Sequence, residues 1–261
     1  MKTLLSMMLF LCGAFAPGFA TSDTGGAPLY PETHGYDDIH KAIAQSRQDA
    51  IDQGKLLMVI MGADWCHDSR AFITHLQDPA FETLIDERYV VKRVNVGYYD
   101  FIREVIAPWN IPVIYGTPTV LVVEPVTDTL LNRDTLPTWR NAASMSADDA
   151  VNYFAEYDPG PPAAAQAPSP ALAEALAQID AFEREQAERI YTAYAEIGAM
   201  LREMGDESPS PEFRVKWDQL ATMRRDITVD LGRMRTEAQA RVAAGETDIP
   251  FDFPDYSLFI D

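Results

Sequence analysis

The sequence predicts a mixed α/β domain, with a central sheet flanked by helices, followed by a C-terminal α-helical hairpin. Three observations predict it. Strand and helix signals alternate through the first half of the 261 residues and end in a β-hairpin. A proline- and alanine-rich stretch, Asp158 to Ser169, then interrupts the pattern. Beyond it the apolar residues recur at helical spacing.

The chain opens with a targeting pattern. Lys2 supplies a positive start, Leu4 to Ala16 form a short apolar run, and Gly18-Phe19-Ala20 offers small residues at a cleavage site. Residues 1–20 are therefore expected to be a signal peptide, and the mature chain to be soluble and exported, into a bacterial periplasm. Cys12 in this run follows the bulky Leu11, which argues against lipidation.

The first domain is expected over residues 21–157. Asp37 to Gln53 reads as a helix ended by Gly54. Leu56 to Met61 is continuously apolar, the mark of a strand buried on both faces. Cys66 to Leu76 and Pro79 to Arg88 read as helices, the second opening on a first-turn proline. Tyr89 to Val96 is rich in β-formers, and a short helix follows around Phe101 to Ile106. Thr119 to Glu124 and Thr129 to Asn132 form the β-hairpin, turned through Pro125 and Asp128. Asp148 to Tyr157 closes the domain as a helix capped by Ser146. Trp139-Arg140, just past the hairpin, reads as a surface packing element.

Residues 158–170 have linker composition. Residues 171–245 are expected to form an antiparallel helical hairpin of coiled-coil character, broken between Gly205 and Pro211. Leu172, Leu176, Ile179, Ile190, Tyr194, Ile197, Leu201 and Met204 line the first helix. Phe213, Trp217, Leu220, Ile227, Leu231, Met234 and Ala238 line the second. Glu183, Gln186 and Arg224 interrupt the seams and read as solvated or register-setting. Two helices alone bury little, so the hairpin must dock on the first domain, self-associate or hold a protein partner. The tail, residues 246–261, is acidic and aromatic; it either packs back on the protein or serves as a peptide-like ligand.

The formal net charge is -19, shared evenly, with 20 acids and 10 bases from Thr21 to Tyr157 and the same numbers from Asp158 to Asp261. Such a surface repels nucleic acid and anionic lipid, so no nucleic acid is expected as partner. There is no glycine-rich phosphate loop and no Ser-His-Asp arrangement, and no cofactor is expected.

Without Cys12 the chain keeps one cysteine, Cys66, in Gly62-Ala63-Asp64-Trp65-Cys66-His67-Asp68-Ser69. That segment follows a buried strand and opens a helix. Unsatisfied N–H groups and the helix dipole there favour a thiolate. A protonated His67 would add to this, and Asp64 and Asp68 oppose it. About fifty residues on, Gly116-Thr117-Pro118-Thr119 leads into the next strand. Over Tyr36 to Tyr157 the chain resembles the thioredoxin superfamily, in particular exported domains with a Trp-Cys-x-x-Cys motif. The resemblance implies a cis Pro118 beside Cys66, with Cys66 as nucleophile and Trp65, Thr117 and Pro118 as the substrate surface. The family's resolving cysteine is Ser69 here, and its buried acid six residues before the nucleophile is Ile60. Ser69 has two roles open to it: donating to the Cys66 thiolate, or capping the helix. His67, Asp68 and His75 lack the paired ligands of a structural zinc site, so no metal is expected. The function expected is monothiol thiol–disulfide exchange through Cys66, as mixed-disulfide capture, reduction or isomerisation, with protein or small-molecule thiols and disulfides and an external thiol reductant as partners. The alternative is a redox-inactive scaffold that binds a partner through the hairpin and tail.

Overall fold

The computed structural model describes residues 27–160, 162, 167–205 and 207–260. The expected signal peptide lies outside them, as do residues 161 and 163–166 of the expected linker. Helix α1 (Tyr36–Gln53) ends on Gly54 in the left-handed conformation, and strand β1 (Leu56–Gly62) follows at once. Helix α2 (His67–His75) and helix α3 (Pro79–Arg88) come next, the latter capped by the Asp78 carboxylate on the Ala80 and Phe81 amides. Strand β2 (Tyr89–Asn95), the one-turn helix α4 (Arg103–Ile106) and strand β3 (Thr119–Glu124) follow. Strand β4 (Thr129–Leu130) is shorter than expected. The Asn132 side chain takes over the ladder there: its amide donates to Val120 O at 2.8 Å and accepts from Val122 N at 2.9 Å. Helix α5 (Ala147–Phe154) starts at a capping box between Ser146 and Asp149.

The sheet order is β2-β1-β3-β4, with β1 parallel to β2 and antiparallel to β3, and β3 antiparallel to β4. This is the mixed, helix-flanked sheet that the sequence predicts. Side chains alternate across it. Leu56, Met58 and Ile60 of β1 join Val120 and Val122 of β3 under α2, α3 and α5. Leu57, Val59 and Met61 join Leu121 and Val123 on the other face. Both faces are covered, which is why β1 carries an unbroken apolar run.

Trp139 corrects the sequence reading. It is fully buried, and its ring lies among Phe72, Phe154 and Tyr153 at centroid distances of 5.1, 5.3 and 5.5 Å. It belongs to the core beneath α2, not to the surface. The turns around it, residues 138–144, are 3₁₀ and offer no helical or strand period by which its inward aim could be read.

Helix α6 (Pro170–Met204) and helix α7 (Pro211–Ala243) pack on each other, each begun by a serine cap followed by proline. The pair docks on the first domain, and their buried residues are continuous with its core. Gly198 makes the closest approach: a Cβ there would lie 2.0 Å from Tyr98 O. Tyr194 stacks on Tyr99 at 4.0 Å and donates to Ile114 O at 2.8 Å. Tyr115 donates to Glu183 at 2.9 Å, and Arg103 and Arg202 bridge to Glu188 and Asp100. The solvated reading of Glu183, Gln186 and Arg224 is overturned, since all three are buried. Glu183 is paired with Tyr115 and Arg235 because the domain and α7 close over it. The tail packs back on α6: Ile249, Tyr256 and Leu258 are buried, and Phe253 stacks on Phe182 at 4.7 Å.

Candidate active site

Chain direction places Cys66. Strand β1 delivers the segment after Gly62 to the end of the sheet, and α2 turns away from it, leaving Cys66 as the N-cap residue of α2. No side chain caps that helix, so its first-turn amides are open at the sulfur's end of the helix. Cys66 is half-buried, and its Sγ–H donates to Thr117 O at 3.2 Å. The Thr117–Pro118 peptide bond is cis, immediately before β3. The structure therefore joins Cys66 and Thr117-Pro118, two elements fifty residues apart in sequence.

Trp65 is anchored by its indole N–H on Gly97 O at 2.8 Å and packs against Tyr98 and Tyr99. Its ring also meets Trp217 of α7 edge-on at 6.5 Å, so the helical hairpin reaches the nucleophile's own loop. Ile60 is fully buried in β1, where the resemblance would place an acid. His67 is exposed and makes no hydrogen bond among the described residues.

Ser69 departs from both roles open to it. Its Oγ is buried and has no hydrogen-bond partner, so it neither caps α2 nor bonds Cys66. The cause is position: in the first turn of α2 it faces inward, beside Gly62 and the Tyr30 ring, whose hydroxyl donates to Ser69 O at 3.3 Å.

Two residues considered as metal ligands do other work. Asp68 accepts from Ala143 N at 3.0 Å, and His75 Nε2 donates to Ala142 O at 2.9 Å. Burial pushes the Asp68 carboxyl up, against the lowering effect of the Ala143 N–H and of His67. Together they clamp the turn that holds Arg140. Among the described residues no group of three or more His, Cys, Asp or Glu side chains is placed to hold a metal ion.

A cavity of about 320 Å³ opens beside Cys66, walled by Thr117 and Arg140 on one side and by Trp217, Arg224 and Arg225 of α7 on the other. Gly116 allows the near wall to close up: a Cβ there would sit 3.0 Å from Arg140 Cβ. The α7 wall was missed by sequence reasoning, because a helical period says that a face is covered without saying by what. Arg224, a charge on an apolar seam, was the one signal available.

No helix among the described residues is long and apolar enough to cross a membrane. Comparison with family models and with curated proteins finds no match. Among solved structures, a disulphide isomerase from Xylella fastidiosa Temecula1 is similar at 25% identity, covering 49% of this chain and 95% of that chain with a TM-score of 0.40.

Proposed function

We propose that this is an exported monothiol thiol–disulfide exchange protein acting through Cys66. The observation that carries the reading is the sulfur of half-buried Cys66 at an uncapped helix start, lining a cavity and 3.2 Å from the carbonyl before cis Pro118. A thiolate there attacks one sulfur of a disulfide, with the Cys66 proton passing to solvent. The S–S bond breaks, a Cys66 mixed disulfide forms, and the other half leaves as a thiolate. Ser69 carries no thiol to resolve the intermediate, so an external thiol attacks it, regenerates Cys66 and takes the captured half into a new disulfide. Net electrons balance between the two outside partners. Thr117, Pro118 and Trp65 bound the site in which the substrate sulfur lies.

The test is direct. The protein is mixed with a chromogenic disulfide, with Cys66→Ser as the blank, and the adduct is located by mass. The expected result is one adduct, on Cys66, released by added thiol and formed faster than by a small free thiol at the same pH. A Cys66 slower than that free thiol would remove the exchange reading.

A further inference from the structure

We propose that the cavity beside Cys66 takes a small disulfide bearing carboxylate groups, received by Arg140 and Arg224. This names the substrate class of the exchange reading above and rests on it.

Arg224 is only 7% exposed, lines the cavity, and its buried Nε has no hydrogen-bond partner. Its Nη1 reaches only the hydroxyls of Tyr194 and Tyr99, at 3.3 and 3.5 Å. Burial pushes the pKa of both phenols up, so they stay protonated and offer acceptors without counter-charge at neutral pH. Arg140, across the cavity, has one long hydrogen bond, to Arg224 O at 3.5 Å. Among the described residues neither guanidinium has a carboxylate within ion-pair distance.

Arg224 is the one buried arginine among the described residues, and it is without the carboxylates that the half-buried Arg235 finds. Arg225, at the rim, is already held by Asp226. The one carboxylate lining the cavity, Asp68, is turned to the Ala143 amide. Burial, then the neighbouring charges of Arg224 and Arg225, push the Arg140 guanidinium down, which an anion between them would relieve. Guanidinium forks match carboxylate geometry.

Size sets the other limit. Helix α7 brings Trp217 and Ala221 across the thiol, and about 320 Å³ admits a small molecule and not the face of a folded protein. The exchange is the one balanced above: Cys66 takes one half of the small disulfide, and the other half leaves as a carboxylate-bearing thiolate.

The full chain is reacted with 3,3′-dithiodipropionate, which is anionic, and with cystamine, which is cationic and of similar size, at low and high salt. The overall charge favours cystamine, so the opposite preference is diagnostic. The expected ratio of rates, anionic over cationic, exceeds about tenfold and falls as salt screens the site. Arg140→Gln lowers that ratio, and Arg140→Lys restores part of it, both variants being checked for folding by circular dichroism. Cystamine reacting as fast as or faster than 3,3′-dithiodipropionate, or a ratio indifferent to salt, would overturn the proposal and leave exchange at Cys66 intact. Reaction with neither disulfide would take down the exchange reading and this inference together.

Discussion

Trp139 carries the aromatic cluster beneath α2, with Phe72, Phe154 and Tyr153 all within 5.5 Å of its ring centroid. Truncating it to alanine leaves a large void that surrounding rings cannot fill, and should cost about 3–5 kcal/mol of unfolding free energy. Trp139→Phe keeps most of the ring contact and removes an indole N–H that is buried without a partner, so it should cost clearly less. Denaturant midpoints of the two variants measure this. An alanine variant within about 0.5 kcal/mol of the parent would mean that the residue behaves as a surface position. The contrast with Cys66 explains what single residues disclose. Cys66 was legible because a buried strand, a helix start and a Thr-Pro element frame it, and each has its own pattern. Trp139 and Arg140 sit in a 3₁₀ turn with no period, and their opposite directions, one inward and one to the cavity, are set by the Asp68 and His75 clamps. Ser69 was placed correctly in the helix but not in its environment, since facing Tyr30 depends on a segment distant in sequence.

The two long helices show the same division at the level of elements. That there are two helices, and where they break, was readable from apolar spacing and from the Gly205 to Pro211 stretch; their serine-proline starts were not singled out. Their docking was not readable, because interface polar residues look like surface ones until their partners are known. Glu183 and Arg224 are of that kind: one meets Tyr115 and Arg235, the other Tyr99 and Tyr194. Gly198 is the sharpest case. It lies among helix formers with no local need for flexibility, yet α6 comes so close to the Tyr98 backbone that no Cβ fits. Gly198→Val should therefore push α6 off the 98–100 loop and strain the Tyr194–Tyr99 stack, at a cost of about 1–3 kcal/mol. Its neighbour on the exposed side, Ala199→Val, controls for the lower helix propensity of a branched residue. Thermal unfolding of both variants reads the difference. Equal losses would show that α6 yields freely at Gly198 and that the contact is loose.

Over the whole molecule, the response to alkali should exceed the response to mild acid. Tyr30, Tyr89, Tyr99, Tyr115, Tyr153, Tyr191 and Tyr194 all have their pKa raised, first of all by burial. A group whose folded pKa is raised contributes stability that is whole below its unfolded value, near 10 for tyrosine, and lost as pH climbs beyond it. Each such phenol removes up to about 1.4 kcal/mol per pH unit above that point, so several acting together leave the fold only a narrow margin. On the acid side the sign is reversed. The Glu188 carboxyl is lowered by its hydrogen bonds from Arg103, and Glu124 is lowered because bonds from Thr127 and Val126 outweigh its burial. Their contribution holds above the ordinary carboxylate range, near 4, and fades as pH falls through the lowered values. Asp68, raised by burial, works the other way and softens that loss. Unfolding followed by circular dichroism should thus show a plateau from roughly pH 5 to 9, then a steep loss above about 10. Tyrosinate absorbance should rise in the same transition, because most of the phenols cannot ionise until the domain and its helical hairpin come apart. Absorbance completing its rise while the ellipticity stays native would mean that these rings reach water in the folded state, and the packing of α6 on Tyr99 and Tyr115 would have to be redrawn.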